Sequence, residues 1–185
     1  DWEDPSTLFC SEVAYDAYQA VGVPLWRGRT TTSSQGTARW LSQFGVRTFD
    51  TLGPSDLEYD PNLVVVAEWR DPETLFDDHL DTAVIDGLLV TADEGDDVGF
   101  AGWRLPLARL AKAYSWVKNQ FGSPGPVPEG MSAQVALRVE WLRERHTEVK
   151  EQVLARSDAF REEHGYRAPY WELVRMSREI ALATR

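Results

Sequence analysis

Cysteine is almost missing from this chain: its 185 residues contain one, Cys10. A single thiol excludes an intramolecular disulfide framework and leaves no cysteine pair or cluster to hold zinc, so no metal and no cofactor is expected. No apolar run approaches the roughly 18 residues that a membrane helix needs, so no membrane span is expected. Positive charge is also short. Nineteen Lys and Arg face 30 Asp and Glu, for a formal net charge of -11 and a pI near 4.7. That balance argues against nucleic acid or an anionic membrane surface as the main partner. The opening Asp-Trp-Glu-Asp-Pro has neither the basic residues nor the apolar stretch of a signal peptide. A mature secreted chain, or part of a longer protein, would lack one as well.

What is present suffices for a packed core. Hydrophobic residues make up 43% of the chain and eight are tryptophan, which excludes a disordered chain. The length fits one domain, or one compact unit with a smaller appendage.

Hydrophobic spacing predicts a helix over 7–21, capped by Ser6 or Thr7, with Val13, Ala14, Ala17, Tyr18 and Val21 on one face. Gly22 ends it and Pro24 prevents a restart. Residues 27–37 read as a polar loop, 38–44 as a short helix closed by Gly45. Val46 to Asp50 reads as a strand, and Gly53-Pro54-Ser55-Asp56 as a turn. Asn62 to Trp69 gives the clearest strand signal, since its run Leu63 to Ala67 is apolar at every position and so suggests burial on both faces.

The remainder reads as helical. Asp71-Pro72-Glu73 opens a helix to about Leu89, and a second covers Pro106 to Phe121. Residues 122–130 hold three glycines and three prolines and read as a linker. From Ser132 to about Leu154, the residues Val135, Val139, Leu142, His146, Val149 and Val153 form a heptad seam suited to docking on another helix. A last helix is expected over Pro169 to Ala183.

Cys10 falls on the first turn of the first predicted helix. An ordinary thiol has a pKa of about 8.5. Free amides and partial positive charge at a helix N-terminus lower it, and the same amides can hold an oxyanion. Taken alone, the position also suits a buried structural cysteine, which is where this residue type is usually found.

The local sequence adds a resemblance. Phe9-Cys10-Ser11-Glu12-Val13, then Ala17-Tyr18 and Gly22-Val23, resembles the nucleophile helix of circularly permuted papain-like cysteine hydrolases of the NlpC type, in their YiiX-like group. Asp1-Trp2 and Gly53-Pro54-Ser55-Asp56-Leu57 are similar to that group too. The resemblance implies an α+β fold, of which residues 1–70 would be the C-terminal portion, a nucleophile helix plus one or two strands. Residues 71–185 would be a mainly helical extension. It also implies a thiol hydrolase of amidase or peptidase type, with a thioacyl intermediate on Cys10 and Ser11 and Glu12 in support. Glu12 lies about 200° round the helix from the thiol, which favours a structural role.

In permuted members the activating histidine lies on a strand before the cysteine. Nine residues precede Cys10 and none is histidine. The resemblance therefore implies an N-terminal segment or a partner chain that supplies the base; it leaves the compartment open, with the bacterial cytoplasm and the cell envelope both compatible. Within this chain the best substitute base is His79, which Asp78 and Asp81 would orient. His146 falls in the heptad seam and reads as packed. His164 suits a helix C-terminus.

Two further features have ordinary readings. Asp93-Glu94-Gly95-Asp96-Asp97 lacks the alternating ligands and distal Glu of a calcium loop and reads as a solvated turn. Tyr114, Trp116 and Phe121 read as core at helical spacing rather than as a groove or membrane contact. Against the hydrolase stands a second function class, a catalytically inactive helical binding or scaffold module that takes a protein partner or forms a homodimer.

Overall fold

The computed structural model describes residues 10–25, 31–47, 49, 57, 60–64, 66–67 and 71–184; of residues 10–12 it describes the backbone alone. The chain divides into two units. One comprises Asp1–Ser33 and Val46–Arg70, the other Ser34–Gly45 and Asp71–Arg185.

In the first unit α1 runs Cys10–Ala20. Gly22, at φ 81°, stops it in the left-handed region. The Val23 amide then turns back to the Tyr18 carbonyl at 2.9 Å, which satisfies a carbonyl that the helix end would leave open.

Among the described residues there is no strand, and this corrects the α+β expectation. Where Asn62 to Trp69 should have been extended and buried, Pro61 and Asn62 form a turn closed on buried Asp60. The Asn62 amide donates to Asp60 Oδ1 at 2.8 Å and the Leu63 amide to the Asp60 carbonyl at 3.1 Å. Val64 and Val66 are almost fully exposed. An apolar run becomes a strand only when a neighbour pairs its amides and covers its faces, and no described residue does either. Val46, Arg47 and Phe49 are likewise not in a strand. Ser6, Thr7 and the expected turn at 53–56 lie outside the described residues.

The second unit is a helical assembly. Its helices are α2 Gln35–Gln43, α3 Pro72–Asp93, α4 Leu105–Gln120 after a 3-10 turn at Gly102–Arg104, α5 Ala133–His164 and α6 Tyr170–Ala183. Their starts follow ordinary capping chemistry. Asp71 accepts from the Thr74 amide at 2.9 Å with Pro72 behind it, and Ser132 accepts from the Val135 amide at 3.1 Å.

The main core joins α3, α5 and α6. Leu80, Ala83, Val84 and Leu88 meet Val149 and Val153 of the expected seam, together with Leu173, Met176, Ile180 and Ala181. The seam residues thus dock within the unit. A second cluster gathers Trp40, Ala92 and Val98 with Trp141 and Leu142, and a third gathers Ala108, Ala133 and Leu137. The three clusters draw on successive stretches of α5. The helix runs ten residues past the expected end, with half-buried Phe160 still packed on the main core, before Gly165, at φ 78°, caps it.

Two arginines of α5 close other helices. Arg138 donates to the Gln43 carbonyl at 2.6 Å, at the end of α2. Arg145 donates to the Ala181 carbonyl and Thr184 Oγ1 at 3.3 and 2.8 Å, at the end of α6. Cations at these positions meet open carbonyls and the negative end of the helix dipole.

The expected linker at 122–130 is pinned. Val127 is buried, and its amide donates to Ser115 Oγ at 2.8 Å. Gly125 lies so close to Ser115 that a Cβ there would overlap it.

Candidate functional site

Cys10 is the first described residue of α1; the expected helical residues 7–9 lie outside the described ones. Its thiol, and the side chains of Ser11 and Glu12, lie outside the described residues.

His79 stands on α3 and its ring tilts against Tyr170 at 5.2 Å. Asp81, expected to orient it, points elsewhere. Asp81 Oδ1 lies 2.6 Å from Lys150 Nζ and 3.4 Å from His146 Nε2, both on α5. Two residues apart on a helix means about 200° of rotation, so one face cannot hold both side chains. His146 is therefore half-buried beside the Asp81 carboxylate at the edge of the seam. His164 ends α5, stacks on Phe160 at 4.0 Å and contacts the Phe160 carbonyl at 3.0 Å through Nδ1.

The acidic turn ties helices together. Asp93 ends α3 and its carboxylate accepts from Ser34 Oγ, from the Thr37 amide at 3.0 Å and from Thr37 Oγ1 at 2.7 Å. Those bonds, Ser34 first and Thr37 next, hold its pKa below the ordinary carboxylate value. Asp97 accepts from Gln43 at 3.3 Å. Among the described residues no three His, Cys, Asp or Glu side chains are grouped to hold a metal. No helix among them is long and apolar enough to cross a membrane.

A depression of about 200 Å³ lies between α3, α5 and Arg167. Arg167 pairs with Glu73 there at 2.6 Å and Arg161 with Asp158 at 3.1 Å, so both of its cations are already matched.

The strongest feature is one the sequence reading assigned to the core. Tyr114, Trp116 and Phe121 are exposed. With α4 as a ruler, Trp103, Leu107, Leu110, Tyr114, Val117 and Phe121 follow spacings of four, three, four, three and four. From Leu107 onward they lie within about 80° of arc at 100° per residue. Their exposure runs from 45% at Val117 to 82% at Phe121. The other side of α4 carries small residues, and buried Ala108 and Ser115 let it approach the rest of the unit closely. Small residues inward and large apolar ones outward invert the usual amphipathic helix. Single exposed apolar side chains are ordinary, but a contiguous row of six is not.

Charge sets this face apart. Val98 to Pro128 contains Arg104, Arg109, Lys112 and Lys118 and none of the chain's 30 carboxylates. Arg104 lies 5.6 Å from the Trp103 ring and Lys118 5.7 Å from the Tyr114 ring, so cations border the stripe directly. Trp116 stands apart from the stripe, on the side of Arg109 and Lys112. Both signals, the alternating spacing and the missing acids, were present in the sequence. What it lacked was which face of α4 turns inward. Compared with protein-family models, with curated proteins and with solved structures, the chain matches none.

Proposed function

We propose that this chain is a helical interaction module whose working surface is the outward face of α4. The observation that carries the reading is the exposed row from Trp103 to Phe121 on a helix whose inward side is built of small residues. Burying one such side chain against a partner is worth roughly 1.5–3 kcal/mol relative to leaving it in water. A row of six can hold a partner helix after the cost of ordering it. The test is binding of synthetic helical peptides with an apolar heptad seam, compared between the native chain and Leu110→Asp. Binding lost in the variant supports the module, and no binding by any peptide removes it.

A second reading rests on Cys10 as the first residue of α1. It is a thiol hydrolase of amidase type, forming a thioacyl intermediate on Cys10, with its histidine supplied by another segment or chain. The alkylation rate of Cys10 against pH tests it. A midpoint clearly below about 8.5 supports an activated thiolate, and one at or above that value ends the reading.

A further inference from the structure

We infer that the partner of the α4 face is an amphipathic helix of another protein, one whose apolar seam is flanked by Asp and Glu. This rests on the interaction-module reading and names the chemistry of what the module holds. Spacings of three and four make Leu107, Tyr114 and Phe121 the a positions of a heptad and Leu110 and Val117 the d positions, with Trp103 continuing the row onto the 3-10 turn. The large apolar side chains span about 80°, a narrow seam of the kind that takes another helix. A bilayer surface is a plane and suits a broader apolar face, and the rest of this chain is strongly acidic.

Charge then selects among helices. The e positions are Arg104, Ala111 and Lys118, and the g positions are Pro106, Ala113 and Gln120. No e or g position of α4 is a carboxylate, though Arg104 lies 3.9 Å from Glu144 of α5 in an exposed pair. A second α4 packed antiparallel about the middle of the seam would set Arg104 against the copy's Lys118, cation on cation, and a parallel one would give them no anion. A helix with Glu or Asp beside its seam answers Lys118 and competes with Glu144 for Arg104, and such flanking pairs set partner choice in coiled coils.

The experiment measures binding of the full chain to three synthetic peptides that share one apolar heptad seam and carry Glu, Gln or Lys at every e and g position. The Glu peptide is expected to bind at least about tenfold more tightly than the Lys peptide at low salt. Added salt should shrink that margin. Leu110→Asp should abolish binding, and Lys118→Glu should cut the margin while leaving the seam intact. Equal or tighter binding of the Gln or Lys peptide overturns the acidic assignment and leaves the module standing. Binding to vesicles containing phosphatidylserine, or self-association that Leu110→Asp removes, with no peptide bound, overturns the inference in favour of lipid or a second copy. No binding to any probe overturns the module reading itself.

Discussion

Gly87 of α3 and Ser177 of α6 meet with no room for a side chain between them. A Cβ on Gly87 would overlap Ser177 Oγ and fall 2.9 Å from the Ser177 carbonyl carbon and oxygen. Both positions are buried where α3 packs on α6. Gly87→Ala gains about 1 kcal/mol of helix propensity, but the backbone of α6 must move to admit the methyl, an overpacking cost of about 1–3 kcal/mol. The expected net result is a lower melting temperature by circular dichroism, with Gly87→Val worse. Ser177→Ala should be neutral or stabilising, because Ser177 Oγ is buried without a hydrogen-bond partner. An unchanged melting point in Gly87→Val would mean that α3 and α6 do not pack this closely.

Asp93 makes the docking of α2 sensitive to acid. Its folded-state pKa lies below the ordinary value, because Ser34 and Thr37 donate to the ionised carboxylate. The stabilisation is therefore complete above about pH 4, the unfolded carboxylate value, and lost as pH falls through the lower folded value. The protection factor of the Thr37 amide, its slowing relative to the unfolded chain at the same pH, should fall in that acidic window. Asp93→Ala should show fast exchange already at neutral pH. Equal protection of Thr37 in both proteins would show that the carboxylate does not hold α2.

Ser115 anchors the Gly/Pro segment. Ser115→Ala leaves the buried Val127 amide without its acceptor, at a cost of about 1–3 kcal/mol. Limited proteolysis should then cut within Gly122–Gly130 while the helices stay resistant. Resistance equal to the native chain would mean that the segment is held by other contacts.

The two sides of α4 should respond differently to substitution. Leu110→Glu, on the exposed row, should change stability by no more than about 0.5 kcal/mol. Leu137→Ala, on α5 in the cluster that receives Ala108, should cost about 2–5 kcal/mol. Chemical denaturation reads both. A large loss in Leu110→Glu would place that side chain in a core.

Much of this protein was determined locally. Asp71-Pro72 starts α3, Gly22, Gly45 and Gly165 stop helices at positive φ, and the spacing from Val135 to Val153 marks the docking face of α5. These are short-range matters of caps, left-handed glycines and one repeating face, and a sequence states them directly. Tertiary structure decided the rest. The run Leu63 to Ala67 has the composition of a buried strand, but Val64 and Val66 find no cover and the turn at Pro61-Asn62 takes the local hydrogen bonds. Asp93 looked like a solvated turn until Thr37, 56 positions away in the chain, brought its amide and hydroxyl to it. On α4 the alternating row is visible in the sequence, yet periodicity marks a face without saying which way it turns. Ala108 and Ser115 fit the narrow space beside the neighbouring segments and the row from Leu107 to Phe121 does not, so packing volume turned the large side chains outward.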